Sequence, residues 1–541
     1  MDFLNRHTLF QNFRLGLFAF VCSMAFCLWA VPCLFGGKAS EKPVSRAQLY
    51  DPGLHVFVDD DEVQDHPGFT RKIQNPRRIR TEPVLRPDRP WEGHAVQLWG
   101  SVLYDQEEDL FKMWYFSSAN TPLYRSQGRG YFICYATSRD GVQWEKPELG
   151  IVRVNGSAAN NIVYPTRDIP PTWGLDPWGV VRDPDDPDPS KRYKMGMYQQ
   201  RPSEQESDIE KPNMTREEKN KARKTLLRAI RDKHGMYAAF SPDGIYWTPG
   251  EEILVPRGGD AGTLVYDPLG EGYIASTRRY ETIMDHFVIG WKGYRRVIAL
   301  STSQDFVHWT PLKTVLKPDD FDDPRDQMYV MTPFAYGNQY LGFIGMLHSS
   351  TELGPTQLAS ARDLEDWRRV GRREEFLPVG APGSWDGAWS SLSGNPPILR
   401  GNTLYLWYSG RPQAHGTSGM WESSIGIVTL RKDGFVALRS GIRGGELMTE
   451  PLEVLAPKLY LNALSYFGRV RIRVVEEVSV PNGYSFEDCN GLERADETDF
   501  EITWGRDRKD LSSFVGQKVR LHIQADNATS LFSYRFGNSG D

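Results

Sequence analysis

The sequence predicts an all-β protein assembled from repeated antiparallel units, and three observations carry that expectation. A signature of Asp followed four positions later by Trp recurs along the chain. Each copy is preceded by a pair of extended, aromatic-rich runs. The 541 residues include 50 Gly and 36 Pro and are 12% aromatic, a composition that suits short strands joined by many turns better than packed helices. With 40% hydrophobic and 25% charged residues the chain is ordinary and globular. Its net charge of −6 excludes a dedicated nucleic-acid binder, which needs a basic face.

Taken in order, the chain opens with residues Leu15 to Gly37, which carry no charge and are flanked by Arg6, Arg14 and Lys38. The run is long enough to cross a bilayer at about 20 residues per span. It predicts a signal peptide or an uncleaved membrane anchor within residues 1–40, and the arginines before it favour an exported body. Three of the five cysteines (Cys22, Cys27, Cys33) lie in this segment. Cys134 and Cys489 remain in the body and read as buried thiols rather than a disulfide framework.

The body is a repeat. Four copies share one pattern: Cys134-Tyr-Ala-Thr-Ser-Arg-Asp140-Gly-Val-Gln-Trp144, Tyr237-Ala-Ala-Phe-Ser-Pro-Asp243-Gly-Ile-Tyr-Trp247, Ile298-Ala-Leu-Ser-Thr-Ser-Gln-Asp305-Phe-Val-His-Trp309 and Gln357-Leu-Ala-Ser-Ala-Arg-Asp363-Leu-Glu-Asp-Trp367. A degenerate fifth copy runs through Asp433-Gly434-Phe435. Asp accepts backbone N–H groups at a turn, the next residue takes the unusual dihedral, and Trp packs the outgoing strand. Five such units over 54–445 predict a five-bladed β-propeller, which closes radially and leaves few exposed edges. The wide interval between Asp140 and Asp243 is filled by the charge-dense stretch 203–234, with a helical pattern over 216–233, read as a solvated excursion. From 446 to 541 the pattern changes to alternating strands, predicting a small C-terminal β-sandwich.

In a propeller, the first strand of each blade lines the central channel, so acids just before those strands are candidates for chemistry. The first blade offers Trp91-Glu92-Gly93-His94, the second Trp178 and Arg182-Asp183-Pro184, and the third Asp260. The fourth offers Asp326 with Tyr329, and the fifth Trp385-Asp386. Paired carboxylates are what glycosidic-bond cleavage requires, one to protonate the leaving oxygen and one to attack or activate water. An isolated Asp before a strand is more often a turn residue. No metal site, phosphate loop or cofactor motif is legible.

Arg182-Asp183-Pro184 resembles the Arg-Asp-Pro signature of glycoside hydrolase family 32, whose Asp stabilises the transition state. The Ser-x-Asp-Gly-x-x-Trp turns resemble those of the family 32 and family 43 propellers, and a propeller followed by a β-sandwich is similar to the family 32 layout. The resemblance spans about residues 54–540. The family 32 Asn-Asp-Pro-Asn-Gly motif has no counterpart; Val58-Asp59-Asp60 and Trp91-Glu92-Gly93 stand in its region. The fifth-blade stretch from Ser384 through Asn395-Pro396-Pro397-Ile398 to Gly410 is also similar to the closing blade of the β-mannoside phosphorylases.

The resemblance implies a glycoside hydrolase acting on an oligo- or polysaccharide, with Asp183 as the orienting or stabilising acid, and the N-terminal segment adds export. Position before the inner strands, not the resemblance, makes Glu92 and Asp326 the candidate base and proton donor, with Asp260 or Asp386 as their substitutes. Trp91, His94, Trp178, Arg182, Tyr329 and Trp385 are expected to bind sugar. Two alternatives stand beside it. A glycoside phosphorylase would hold phosphate on Arg182, Arg278, Arg279 and Arg411, and a non-catalytic propeller would bind carbohydrate in the same funnel.

Overall fold

The Asp-to-Trp repeat folds as a turn organised by one carboxylate. Asp140 accepts the backbone N–H groups of Val142 and Gln143 at 2.8 Å each, Asp243 those of Ile245 and Tyr246, Asp305 those of Val307 and His308, and Asp363 those of Glu365 and Asp366. In every copy the Trp indole N–H then donates to the carbonyl three residues back, at Gly141, Gly244, Phe306 and Leu364. Gly141 has φ +73°, and a Cβ there would sit 2.8 Å from the Trp407 ring. That glycine therefore serves both the dihedral and a close approach from another sheet.

The protein is described by a computed structural model over residues 49–118, 131–166, 175–201, 215, 217–218, 221, 225, 233–282, 294–417 and 422–538, all within the unit Lys42–Asp541. The apolar segment 15–37 and most of the 203–234 excursion lie outside the described residues. The molecule is all-β. Helical residues among those described are confined to single 3-10 turns and to Glu217, Glu218, Lys221 and Thr225, which fall in the helix predicted over 216–233. No described helix is long and apolar enough to cross a membrane.

Five antiparallel sheets follow one another along the chain. Their first strands are Ala95–Asp105, Asp176–Arg182, Gly262–Asp267, Asp326–Tyr336 and Trp389–Ser391. Apolar interfaces join the sheets in cyclic order. Trp114 and Tyr135 of the first pack on Met195 and Trp247 of the second, whose Trp178 and Met236 pack on Leu264 and Phe306 of the third. Val265 and Ile298 continue to Met328 and Ile344 of the fourth, and Phe334 and Phe343 to Leu404 and Leu406 of the fifth. Trp407 and Ile425 of the fifth return to Val96 and Met113 of the first. Side-chain to backbone bonds stitch neighbouring first strands: the Ser101 hydroxyl accepts from Val180 N–H at 3.0 Å, and the Thr263 hydroxyl donates to the Met331 carbonyl at 2.7 Å.

The fifth sheet takes its outer strand, Arg77–Arg78, from the beginning of the described chain, paired antiparallel with Ser424–Arg431. Arg78 Nε donates to Asp386 at 2.7 Å and locks that closure. Two larger sheets complete the molecule, one of seven strands and one of six. They share a single apolar cluster, with Leu461 and Tyr534 from the first and Ile472 and Ile523 from the second. Their membership is wider than the expected range of 446–541. Leu54–Val56 and Phe69–Ile73 pair with Ser530–Gly537 and Val436–Ser440, and Val63–Asp65 with Gly445–Thr449. Short early strands thus supply edges to the late sheets. Asp433, the remnant of the fifth repeat, no longer holds a turn of the Asp-to-Trp kind. It is 2% exposed and accepts from Tyr336, Ser533 and Asn462, so it ties the fourth sheet to the seven-stranded one. Cys134 and Cys489 are both free thiols.

Candidate active site

The starting ends of the five first strands meet around one cavity of about 240 Å3. The first sheet contributes Gln97 and Trp99, the second Asp176, the third Asp260 and Arg278, the fourth Tyr329, and the fifth Trp389, Arg411 and His415. Two carboxylates from adjacent sheets therefore face the same space. Asp260 is ion-paired with Arg278. Asp176 has no such partner among the described residues. Burial pushes its carboxyl up to about 8, the negative charge of Asp260 adds to the rise, and Arg278 opposes it. At neutral pH Asp176 therefore holds its proton while Asp260 sits in an ion pair, a division of labour between two acids set by environment.

The floor of the cavity is aromatic and cationic. Arg278 lies over the Tyr329 ring at 4.4 Å, with Arg296 on the same ring at 5.3 Å. Tyr329 meets Trp389 edge to face at 5.1 Å, and His415 stacks on Trp389 at 5.8 Å. Burial first, then the positive charges of Arg296, Arg411 and Arg278, lower His415 to about 4 against the opposing pull of Asp260. The imidazole is neutral at pH 7.

Of the residues singled out in the sequence, Asp260 and Tyr329 line this cavity, as do Arg278 and Arg411 of the phosphate-binding set. The remainder lie elsewhere. Asp183 stands at the far end of the Asp176–Arg182 strand, about 23 Å along it at 3.3 Å per residue. Its carboxylate accepts from Lys194 at 3.0 Å and from the Tyr273 hydroxyl. Arg182 beside it pairs with Glu107 at 3.3 Å, and Arg279 donates to the Leu312 carbonyl. Glu92 is fully buried and satisfied by the Tyr115 hydroxyl (2.6 Å), Lys146 (2.8 Å) and the N–H groups of Asp88 and Arg89.

Asp326 begins the first strand of the fourth sheet and bonds His348 at 2.9 Å. Asp386 is consumed by Arg78, Tyr408 and Ser384. Trp91 donates to Asn161, and Trp385 donates to the Thr81 carbonyl while stacking on Tyr408. Trp178 has no exposed surface and is wedged against Gly258 and Gly262 at the junction of the second and third sheets. His94 is exposed, its carbonyl accepting from Ser423.

The site residues absent from the sequence-based set are Gln97, Trp99, Asp176, Trp389 and His415, with Arg296 behind them on the Tyr329 ring. A signal for Asp176 was present. It stands two positions before Trp178, as Asp260 stands two before Gly262, and both acids precede or begin a first strand. No group of three or more His, Cys, Asp or Glu is placed to hold a metal ion among the described residues.

No protein-family model matches the chain, and no curated protein matches it. Among solved structures, the chain is similar to a putative glycoside hydrolase from Bacteroides ovatus, with 14% identity, 67% of this chain and 97% of that chain covered, and a TM-score of 0.41. It is similar to a β-1,2-mannobiose phosphorylase from Listeria innocua (13%, 67% and 98%, TM-score 0.41). A third is a family 43 arabinoxylan arabinofuranohydrolase from Bacillus subtilis (12%, 84% and 99%, TM-score 0.36).

Proposed function

We propose that the five cyclically packed sheets are the blades of a β-propeller, that the two larger sheets form a sandwich beside it, and that the cavity cleaves glycosidic bonds. The observation that carries this reading is the pairing of Asp176 and Asp260 from adjacent sheets across an aromatic-walled cavity. Asp176, neutral at physiological pH, is the proton donor to the departing glycosidic oxygen. Asp260, in its ion pair with Arg278, is the carboxylate that faces the sugar's anomeric carbon, as nucleophile or as base for water. Positive charge that develops on the ring is met by that carboxylate. Trp99, Tyr329 and Trp389 offer apolar ring surface for sugar stacking. The uncharged run 15–37 supports a working place outside the cytoplasm for the body that follows.

A second reading, phosphorolysis, is favoured by Arg278 and Arg411 in the cavity wall. In that reaction the anomeric C–O bond breaks, phosphate oxygen forms the new C–O bond, and the leaving oxygen takes the proton of Asp176. Both readings are tested by Asp176→Asn and Asp260→Asn assayed on a panel of oligosaccharides with and without inorganic phosphate. Turnover falling by a factor of about 100 or more in each variant supports the acid pair, and a product formed only with phosphate selects phosphorolysis. Full turnover in both variants rejects the pair.

A further inference from the structure

Two guanidinium groups line the cavity, Arg278 and Arg411, and a third, Arg296, lies on the Tyr329 ring beside them; the acid pair draws on Arg278 alone. Arg278, Arg296 and Arg411 are 5%, 6% and 9% exposed. Taking such a charge out of water costs several kcal/mol unless it is paired and hydrogen-bonded. Asp260 answers Arg278 through a single nitrogen, Nη2. Arg296 donates through Nη1 to the uncharged amide of Gln327. The Nε and Nη1 groups of Arg278 and the Nε of Arg296 are buried with no hydrogen-bond partner among the described residues. Stacking on Tyr329 engages the flat faces of these two guanidiniums but not the donors in their planes. The Arg278 and Arg296 charges thus share one ion-paired carboxylate, since His415 and Asp176 are neutral at pH 7. A neutral sugar ring does not need this field.

We propose that Arg278 and Arg411 in the cavity wall, with Arg296 on the Tyr329 ring beside them, receive an oxyanion in the cavity, carried on the sugar as a uronate carboxylate or sulfate ester, or brought separately as inorganic phosphate. A planar guanidinium presents parallel N–H donors matched to two oxygens of such a group, and a low-dielectric wall strengthens each bond. The in-plane donors that lack partners are the ones an oxyanion would fill. The inference rests on the cavity being the sugar site, but binding does not require the acid pair to turn over, so the two can fail separately.

The test uses the full chain carrying Asp176→Asn, so that ligand is not consumed. Methyl glucuronoside and methyl galacturonoside, their neutral methyl glucoside and galactoside counterparts, a sulfated monosaccharide, and inorganic phosphate are titrated by calorimetry at low and high salt. The His415 imidazole is followed by NMR in parallel. Its surroundings are Arg278, Arg296, Arg411, Asp260 and Glu352, whose carboxylate lies 3.6 Å from Nδ1, so an added negative charge must raise its titration point.

An anionic sugar bound at least tenfold more tightly than its neutral partner, with the gap shrinking in salt, places the oxyanion on the glycan. Phosphate binding with no such gap places it on a separate small anion. In the first case Arg296→Met narrows the preference about tenfold, in the second it weakens phosphate binding about tenfold, and Arg296→Lys restores part of either loss. Equal binding of neutral and anionic sugars, with a His415 titration that phosphate leaves in place, overturns the proposal even if the parent protein proves to be an active glycosidase.

Discussion

Replacing Asp176 by Asn should make the protein more stable and less active at once, and the size of the gain follows from its protonation. An unfolded Asp titrates near 3.9, whereas the folded state holds this proton to about 8. A group whose folded value is raised contributes its full stability below the unfolded value and loses it as pH rises toward the folded one. Between pH 4 and 7 the unfolded chain releases a proton that the folded chain keeps. That is three pH units at about 1.4 kcal/mol each, about 4 kcal/mol against folding at neutral pH. Asp176 retains part of its surface on the cavity, which screens the charge and brings the expected figure to about 2–4 kcal/mol. Asn is neutral throughout and carries no such penalty. Urea midpoints of the parent and of Asp176→Asn, measured at pH 4, 5.5, 7 and 8.5, should coincide at the lowest pH, diverge in favour of the variant as pH rises, and hold a constant gap above about 8. A gap that does not change with pH, or a variant less stable at every pH, would refute the burial argument and with it the assignment of Asp176 as a protonated acid.

Other substitutions separate structural acids from functional ones. Asp183→Asn should leave glycan turnover within about twofold while costing about 1–2 kcal/mol at neutral pH, because the Tyr273 and Lys194 bonds hold its carboxyl below the usual range despite burial. That cost should vanish as pH falls through the lowered value, and a large drop in turnover would return Asp183 to the site. Arg78→Met strips Asp386, 4% exposed at its side chain, of its cation and should cost about 3–5 kcal/mol in urea unfolding; a loss under 1 kcal/mol would mean that the closing strand is held by backbone pairing alone. Trp178→Ala empties the junction of the second and third sheets and should cost about 3–5 kcal/mol. If it instead weakens sugar binding without altering stability, the ring is not the wedge described.

The fold was legible wherever the deciding interactions were local. The turn from Ser138 to Trp144 is complete within seven residues: the Ser138 hydroxyl and two N–H groups meet the Asp140 carboxylate, and the indole meets the Gly141 carbonyl, so the repeat is countable in the sequence alone. Closure was not legible. Its strand is two residues long, Arg77–Arg78, and its partner begins at Ser424; nothing in a dipeptide marks it as an edge. The same holds for Leu54–Val56, whose partner is Ser530–Gly537. The fate of Asp433 was hidden for a related reason. Its local context still reads as a worn repeat, while Tyr336, Asn462 and Ser533, which decide its role, are 29 to 100 residues away.

The site shows where sequence reasoning about acids stops. That the starting ends of the first strands would gather around one cavity followed from the repeat alone, and it brought Asp260 and Tyr329 into view. Choosing among carboxylates required knowing which ones the fold supplies with partners. Glu92 and Asp183 each stand beside the aromatic or basic neighbours that suggest chemistry, yet Lys146, 54 residues on, satisfies the first, and Tyr273, 90 residues on, the second. Asp176 is hidden because the Arg-Asp-Pro resemblance points to the opposite end of its strand, which begins at Asp176 itself. An acid keeps its proton at neutral pH when the fold withholds the cation or N–H groups that would settle its charge. That withholding is a property of distant side chains: Asp176 is defined as much by the guanidinium that goes to Asp260 instead of to it as by its own place at the strand's start.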